Sequence, residues 1–286
     1  MSSFILNVIG KGAEPSLFAP LAAGEADVLS PGYAFDLPVG DEAALVTARA
    51  LAGAAPFDIN LMPAENRRKA LLIADMDSTI INCECLDELA DMAGLKAKVS
   101  VITERAMRGE IEFAGALRER LALLKGLPLA ALERVWRERI RLNPGAKELV
   151  ATTKANGART LLVSSGFTYY TARVAAAAGF DDHQANVLLD DGKTLTGVPQ
   201  EPIVGREAKL IRLEAEIAQL GIAADDVLAV GDGANDLAMI KRAGLGIAYH
   251  AKPVVAAEAD ASIVHNDLTA LLYLQGYRDA EIARFG

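Results

Sequence analysis

ALLIADMDST, residues 70–79, is the stretch that decides the fold. Its first five residues form a short apolar run of the length expected for a buried strand, and the polar residues that follow mark the end of that strand. Two carboxylates, Asp75 and Asp77, flank a single residue there, and Ser78 and Thr79 add two hydroxyls. Because ligands of open α/β sheets bind outside the carboxyl ends of the strands, this stretch predicts a catalytic and metal-binding site on a parallel sheet.

Strand and helix patterns alternate through the rest of residues 67–286, which predicts a mostly parallel sheet. Between about 84 and 143, however, apolar residues recur only at helical spacing, so this region is predicted to be a helical insertion. We therefore expect an α/β fold in which a Rossmann-like, three-layer core carries a helical cap, inserted after the first motif.

The first part of the chain, residues 1–66, is predicted to be a separate small α/β domain, followed by a polar linker at 63–69. Its mixture of strands and helices is compatible with a ferredoxin-like or ACT-like module. The expected elements are strands at Phe4–Ile9, Tyr33–Pro38 and Phe57–Met62 and helices at Ser16–Ala23 and Asp41–Ala52.

Composition narrows the class of protein. The 286 residues include 38 acidic and 29 basic side chains, and the resulting net charge of −9 argues against a general nucleic-acid binder. We see no signal peptide and no apolar run long enough to cross a membrane. The two cysteines, Cys83 and Cys85, are too close together for a framework disulfide, which fits a reducing, cytoplasmic location. The oligomeric state stays open, with a homodimer as one alternative.

Polar residues at other strand ends and helix starts are expected to join the first motif, because the carboxyl ends of parallel strands meet at one edge of a sheet. These residues are Ser164, Ser165, Lys209, Asp232, Asn235 and Asp236.

Together the residues favour phosphoryl transfer through an aspartyl-phosphate. A carboxylate nucleophile divides one difficult step into two easier ones. It needs a divalent cation because carboxylate and phosphate repel each other, and Mg²⁺ prefers oxygen ligands such as Asp75 and Asp232. Backbone N–H groups near Ser164 and the charge of Lys209 would hold phosphate oxygens. Asp77 would protonate the leaving alkoxide and then activate water.

These motifs resemble those of the haloacid-dehalogenase-like phosphatases. The resemblance covers about residue 70 to the C-terminus, through DMDST at 75–79, VSSGF at 163–167, and Lys209 followed by GDGAND at 231–236. It implies that Asp75 is the phosphorylated nucleophile and Asp77 the general acid/base. It also implies that Mg²⁺ is held by the side chains of Asp75 and Asp232 and by the backbone carbonyl of Asp77. Phosphate would be bound by Ser164, Ser165, Lys209 and Asn235, with Asp236 supporting the metal ligands.

A narrower resemblance, to the branch that hydrolyses O-phosphoserine in serine biosynthesis, rests on NCECLDE at 82–88 and on the cap. It implies that Glu84 meets the substrate amino group, that Arg120 meets its carboxylate, and that Met107 and Phe113 shield the site from water. Charged residues of a cap are commonly just solvated, and Met107 and Phe113 are equally compatible with core packing.

One residue departs from the family pattern. Many relatives have Ser-Gly-Gly in the second motif, where this chain has Ser164-Ser165-Gly166. We expect the added side chain of Ser165 to alter phosphate affinity rather than abolish the chemistry.

Two other functions remain compatible with the sequence. The first is a phosphatase or phosphotransferase of the same fold that acts on another small phosphomonoester. The second is a regulatory, amino-acid-sensing protein in which residues 1–66 are the sensor and the phosphatase fold is silent. The intact motif set argues against this regulatory function. The identity of the metal is a separate open question, since neither the charge nor the motifs distinguish Mg²⁺ from Mn²⁺.

Overall fold

The computed structural model of this protein describes residues 4–108 and 110–285, without the side chain of Met107. The predicted shielding role of Met107 therefore lies outside the described residues.

The N-terminal part forms a four-stranded antiparallel sheet with the strand order β2-β3-β1-β4. A short helical turn at Pro15–Leu21 follows the first strand, and one α-helix lies between the last two, so the order of elements is that of a ferredoxin-like unit. The predicted helix at 16–23 is reduced to this turn, which contains Pro20. The elements are β1 (Phe4–Ile9), β2 (Asp27–Ser30), β3 (Ala34–Val39), α1 (Ala44–Ala52) and β4 (Asp58–Pro63).

The rest of the chain is built on a parallel sheet of six strands, whose order is β12-β11-β10-β5-β6-β7. A two-stranded antiparallel hairpin, β8–β9, follows the edge strand β7 in the chain and precedes the long helix α8. The strands are β5 (Leu71–Ala74), β6 (Arg159–Phe167), β7 (Asp182–Asn186), β8 (Leu188–Asp190), β9 (Leu195–Pro199), β10 (Val227–Gly231), β11 (Leu245–Tyr249) and β12 (Ala261–Ile263). The helices are α2 (Cys85–Met92), α3 (Lys96–Met107), α4 (Phe113–Leu123), α5 (Leu129–Glu138), α6 (Ala146–Ala155), α7 (Thr168–Ala178), α8 (Arg206–Leu220), α9 (Leu237–Arg242), α10 (Pro253–Ala256) and α11 (Ala270–Leu274).

Both faces of the parallel sheet are covered, which confirms the predicted three-layer α/β core. In β5, Leu71 and Ile73 pack on the side of α8 and α9, whereas Leu72 and Ala74 pack on the side of α6 and α7. Successive side chains of a strand point to opposite faces, so a strand buried on both faces appears in the sequence as an uninterrupted apolar run. Within the described residues, no helix is both long and apolar enough to span a bilayer.

The cap consists of α2–α5 and is joined to the core by two adjacent linkers. Ile81 on the outgoing linker forms an antiparallel bridge with Leu142 on the returning one, and the N–H of Asn82 donates to the carbonyl of Arg141 at 3.1 Å. The cap is also bonded to the hairpin β8–β9, where the N–H of Gly126 donates to the carbonyl of Leu195 at 2.8 Å.

Polar contacts join the N-terminal sheet to the core. The carboxylate of Asp58 accepts hydrogen bonds from the N–H groups of Val264, His265 and Asn266, at 2.8 to 3.1 Å. The side chain of Asn60 both accepts from the N–H of Ser262, at 2.8 Å, and donates to its carbonyl, at 3.1 Å. A division of the chain at residue 66 into two domains stays a prediction.

A buried ion pair lies at the same junction. The guanidinium of Arg67 pairs with Asp36 and also donates to the carbonyls of Leu274, at 2.9 Å, and Tyr273, at 3.1 Å. Asn7 donates a further hydrogen bond, of 2.7 Å, to Asp36. One guanidinium thus connects the N-terminal sheet with the last helix of the core.

We predict that Arg67→Met lowers the free energy of unfolding by about 3–5 kcal/mol, because Asp36 would stay buried without its counter-ion. Chemical denaturation measures this loss. The matched control is Arg68→Met, since Arg68 and its partner Glu281 have side chains 45% and 36% exposed. Such exposed pairs contribute about 1 kcal/mol or less, so equal losses in the two variants would contradict the assignment.

Candidate active site

Three adjacent strands bring the sequence-predicted residues together. β10, β5 and β6 are neighbours in the sheet. Asp232 and Asp75 directly follow β10 and β5, and Ser164 lies in the second half of β6, just beyond its pairing with β5. The N–H of Asp75 donates to the carbonyl of Val230 at 3.0 Å, so the first residue after β5 still follows the strand register. The edge of the sheet therefore fixes the starting points of all three motifs.

A buried ammonium group ties two of these strands to α8. Lys209 is inaccessible to solvent, and its Nζ lies 2.5 Å from Asp75 Oδ1 and 2.6 Å from Asp236 Oδ1. Burial acts to lower the pKa of Lys209, but Asp236 and Asp75 outweigh it and raise that pKa above its usual value. Burial, and then the neighbouring Asp236, raise the pKa of Asp75, while Lys209 opposes this shift. Lys209 thus stays protonated and holds one oxygen of Asp75.

Asp77 occupies a different environment from Asp75. Its Oδ2 accepts a hydrogen bond of 2.9 Å from the hydroxyl of Ser164, and its Oδ1 accepts one of 2.9 Å from the N–H of Cys85. Burial raises the pKa of Asp77, against the lowering effect of these hydrogen bonds and of the Cys85 thiol. Burial thus favours the neutral form of Asp77, and the hydrogen bonds fix the orientation of its carboxyl group.

Gly166 leaves room for this arrangement. A Cβ atom at Gly166 would lie 2.6 Å from Asp77 Oδ2 and 3.0 Å from Ser164 Oγ. The backbone N–H of Gly166 also donates a hydrogen bond of 2.8 Å to Ser164 Oγ. Only glycine fits between these two side chains without displacing them.

The carboxylates form a cluster with the donor chemistry of a magnesium site. Single oxygens of Asp75, Asp232 and Asp236 lie within 4.8 Å of one another. Burial, and then Asp236, raise the pKa of Asp232 to about 6, as expected for acidic groups crowded together. Asp236 has its oxygens engaged by Lys209, at 2.6 Å, and by the N–H of Gly233, at 3.1 Å. Asp75 and Asp232 thus have the more accessible carboxylate oxygens, and hard oxygen donors suit Mg²⁺.

The two remaining phosphate candidates differ in their surroundings. Asn235 lies in the loop after β10, where its Oδ1 would be 2.3 Å from a Cβ at Gly233, so the loop closes tightly over that glycine. The hydroxyl of Ser165 is buried and has no hydrogen-bond partner within the described part of the chain. The carbonyl of Ser165 accepts a hydrogen bond of 2.8 Å from Asn186.

The turn at 76–80 places Glu84 beside the carboxylates. Ser78 has a φ of 58° and donates a hydrogen bond of 2.7 Å from its hydroxyl to Glu84 Oε1. Glu84 remains open to solvent, yet the protein surrounds it on most sides, and this desolvation together with the charge of Asp77 raises its pKa to about 7.

Two cap residues face the same region. Burial lowers the pKa of Arg120, whereas the nearby carboxylates of Asp87 and Glu84 act to raise it. Within the described part of the chain Arg120 forms no ion pair, and its Nε donates a hydrogen bond of 3.3 Å to the carbonyl of Ala116. Phe113 lies over the residue before α8, because a Cβ at Gly205 would be 3.1 Å from its ring. The cap therefore brings a cation and an aromatic ring toward Glu84 and the start of the Lys209 helix.

Sequence reasoning missed Cys85 and Gly166 as parts of the site. Cys85 begins α2, and the free N–H groups of a first helical turn are a recognisable source of hydrogen bonds to a carboxylate. Gly166 is visible in the sequence only as a glycine of the second motif, and its need for space becomes apparent only once Asp77 is placed.

Comparison with known proteins gives a consistent family. Residues 72–241, which extend from β5 into α9, match the model of the haloacid dehalogenase-like hydrolases. The chain is 48% identical over 209 residues to a phosphoserine phosphatase of Polaromonas sp. (strain JS666), a match that covers 71% of this chain and 89% of the relative.

Solved structures agree with this. A HAD family hydrolase of Salmonella enterica serovar Typhi is similar with a TM-score of 0.83 and 31% identity, over 96% of this chain and 98% of the other. A structure described as a phospho-aspartyl intermediate analogue of phosphoserine phosphatase is similar with a TM-score of 0.66 and 40% identity, over 72% of this chain and 98% of the other.

We predict that Lys209→Met lowers the free energy of unfolding by about 3–5 kcal/mol in the presence of a chelator, because buried carboxylates would lose their counter-ion. Chemical denaturation measures the loss. Lys241→Met is the matched control, since Lys241 and Glu258 form an ion pair whose side chains are 57% and 48% exposed. A Lys209 variant as stable as the control would show that the buried ammonium does not hold the site together.

Proposed function

Because this chain belongs to the haloacid dehalogenase-like hydrolases, we propose that it is a magnesium-dependent phosphatase that converts O-phospho-L-serine and water to L-serine and phosphate. The observation that carries the proposal is the separation of two neighbouring carboxylates into two environments. Asp75 is bound to an ammonium group, whereas Asp77 is held by a hydroxyl and an N–H group. Burial raises the pKa of both, but only Asp75 has a cation against it.

In the first half-reaction, the free oxygen of Asp75 attacks phosphorus. The new bond joins that oxygen to phosphorus, and the bond between phosphorus and the serine oxygen breaks. Asp77 gives its proton to the departing serine oxygen, which leaves as a neutral hydroxyl. Lys209 keeps Asp75 in place and would offer positive charge beside the incoming phosphate. Ser164, whose hydroxyl donates to Asp77 in this structure, would turn that donor to a phosphate oxygen when substrate is bound.

In the second half-reaction, the carboxylate of Asp77 takes a proton from water. The water oxygen bonds to phosphorus, the bond between phosphorus and Asp75 breaks, and Asp75 returns to a carboxylate as phosphate leaves. A Mg²⁺ ion held by Asp75, Asp232 and the carbonyl of Asp77 would neutralise negative charge on the phosphate. Asp236, whose oxygens bind Lys209 and Gly233, would position these ligands.

The substrate class follows from Glu84 and Arg120. The carboxylate of Glu84 would bind the ammonium of phosphoserine, and the guanidinium of Arg120 would bind its carboxylate. Phe113 would cover the site when substrate is bound. The names of the relatives support this assignment. We propose further that the reaction serves serine biosynthesis and takes place in the cytoplasm.

The decisive experiment compares hydrolysis of O-phosphoserine, O-phosphothreonine and unrelated phosphomonoesters, with Mg²⁺ and with excess chelator. We expect O-phosphoserine to have the highest kcat/KM and the chelator to abolish turnover. Asp75→Asn should lower kcat by a factor on the order of 10³ or more, because it removes the nucleophile. Asp91→Asn, on the exposed side of α2, is the control and should keep parental activity.

Each result separates the proposal from its alternatives. If another phosphomonoester is hydrolysed with the highest kcat/KM, the substrate assignment is wrong but the proposed chemistry stands. Activity that survives Asp75→Asn would refute the aspartyl-phosphate route. A parent protein without any phosphatase activity would favour the regulatory function.

The raised pKa of Glu84, about 7, predicts a pH-dependent KM. Glu84 is charged above this pH and neutral below it, so its attraction for the substrate ammonium is lost as the pH falls through 7. KM for O-phosphoserine should therefore rise more steeply toward pH 6 in the parent than in Glu84→Gln. Because the substrate phosphate also titrates in this range, the ratio of the two KM values is the quantity to measure. A constant ratio would contradict the role of Glu84.

A further inference from the structure

Asn143 forms hydrogen bonds with the last residue of the first motif and with the two residues that follow it. It lies on the returning linker of the cap, just before α6, and its backbone N–H donates to the carbonyl of Ile80 at 2.8 Å. Its side-chain Nδ2 donates to the carbonyls of Thr79, at 2.8 Å, and Ile81, at 3.1 Å. Three consecutive carbonyls thus accept hydrogen bonds from a single residue.

The chemistry of these contacts requires an amide. Two carbonyl oxygens approach one nitrogen, and a side-chain amide supplies two N–H donors on that nitrogen. A carboxylate has nearly the same shape but only acceptors, so Asn143→Asp would set negative oxygen against two carbonyl oxygens. The site is therefore selective for asparagine on grounds of charge as well as size.

The turn at 76–80 contains residues of the proposed reaction. Asp77 and Ser78 lie within it, and Ser78 has a φ of 58°, a conformation that non-glycine residues adopt infrequently and that neighbouring contacts must stabilise. The hydroxyl of Thr79 lies 3.4 Å from Asp232 Oδ1. A displacement of this turn would therefore shift the acid/base group relative to the nucleophile.

We propose that Asn143 is a positioning residue for the phosphatase reaction. It fixes the turn at 76–80 against the base of the cap, so that Asp77 keeps its place beside the reacting phosphate. This inference rests on the proposed function, since it assigns Asn143 a role in the step that Asp77 performs.

Asn82 is the matched control. It also joins the two linkers, with its Oδ1 accepting from the N–H of Arg141 at 2.7 Å and its Nδ2 donating to the carbonyl of Arg139 at 3.3 Å. The side chain of Asn82 makes two hydrogen bonds, as does that of Asn143, but both hydrogen bonds of Asn82 go to the returning linker on the cap side. Loss of either side chain loosens the linkers, whereas only loss of Asn143 releases the turn.

The experiment measures kcat and KM for O-phosphoserine in Asn143→Asp, Asn143→Ala and Asn82→Ala, together with thermal unfolding. We expect kcat to fall about tenfold to a hundredfold in the Asn143 variants, since a misplacement of about 1 Å can cost that much. KM should change less than kcat, and Asn143→Asp should be slower than Asn143→Ala despite its closer shape. Asn82→Ala should lose similar stability but keep the parental kcat.

The outcomes are distinguishable. If both alanine variants keep parental kcat, or both lose it equally, Asn143 is only a structural tether and the proposal is overturned. If Asn143→Asp does not fold, the comparison of the two alanine variants decides. A parent that does not hydrolyse O-phosphoserine refutes the proposed function and with it this inference, whereas an active parent with unaffected Asn143 variants refutes this inference alone.

Discussion

The structure of the site depends on one buried ammonium group. Lys209 has no contact with water and lies between Asp75 and Asp236, so three charges are brought out of solvent together. A buried charge is tolerated only when it is paired, because desolvation of a lone ion costs several kcal/mol. The start of α8 must therefore lie where β5 and the loop after β10 meet. This requirement links the second half of the chain to its first motif.

The buried ammonium group also gives the two neighbouring carboxylates different surroundings. The ammonium group fixes one oxygen of Asp75, while Asp77, two residues later, turns toward Ser164 and Cys85. The two carboxyl groups thus have different hydrogen-bond partners although only one residue separates them. The cap is attached a few residues after Asp77, through the two linkers that meet at Ile81 and Leu142. The position of Asp77 is therefore coupled to the base of the cap.

The core and the site could largely be predicted from the sequence, because buried parallel strands give apolar runs and functional residues follow them directly. The strand β7, DHQAN, could not, since a sheet edge needs little apolar character and its residues are mostly polar. The short edge strand β2 was not predicted either, because two of its four residues are exposed. Contacts such as those of Cys85 and Gly166 with Asp77 depend on how elements dock, which local sequence does not encode.

The junction between Asn60 and Ser262 has a consequence for the behaviour of the protein in solution. β12 is an edge strand of the parallel sheet, and edge strands expose unpaired backbone groups on which other chains can add. The amide of Asn60 binds both the N–H and the carbonyl of Ser262, as a neighbouring strand would. The N-terminal sheet thereby blocks the edge at this residue. We therefore expect this part of the chain to limit edge-to-edge association of the core, whether or not it binds a ligand.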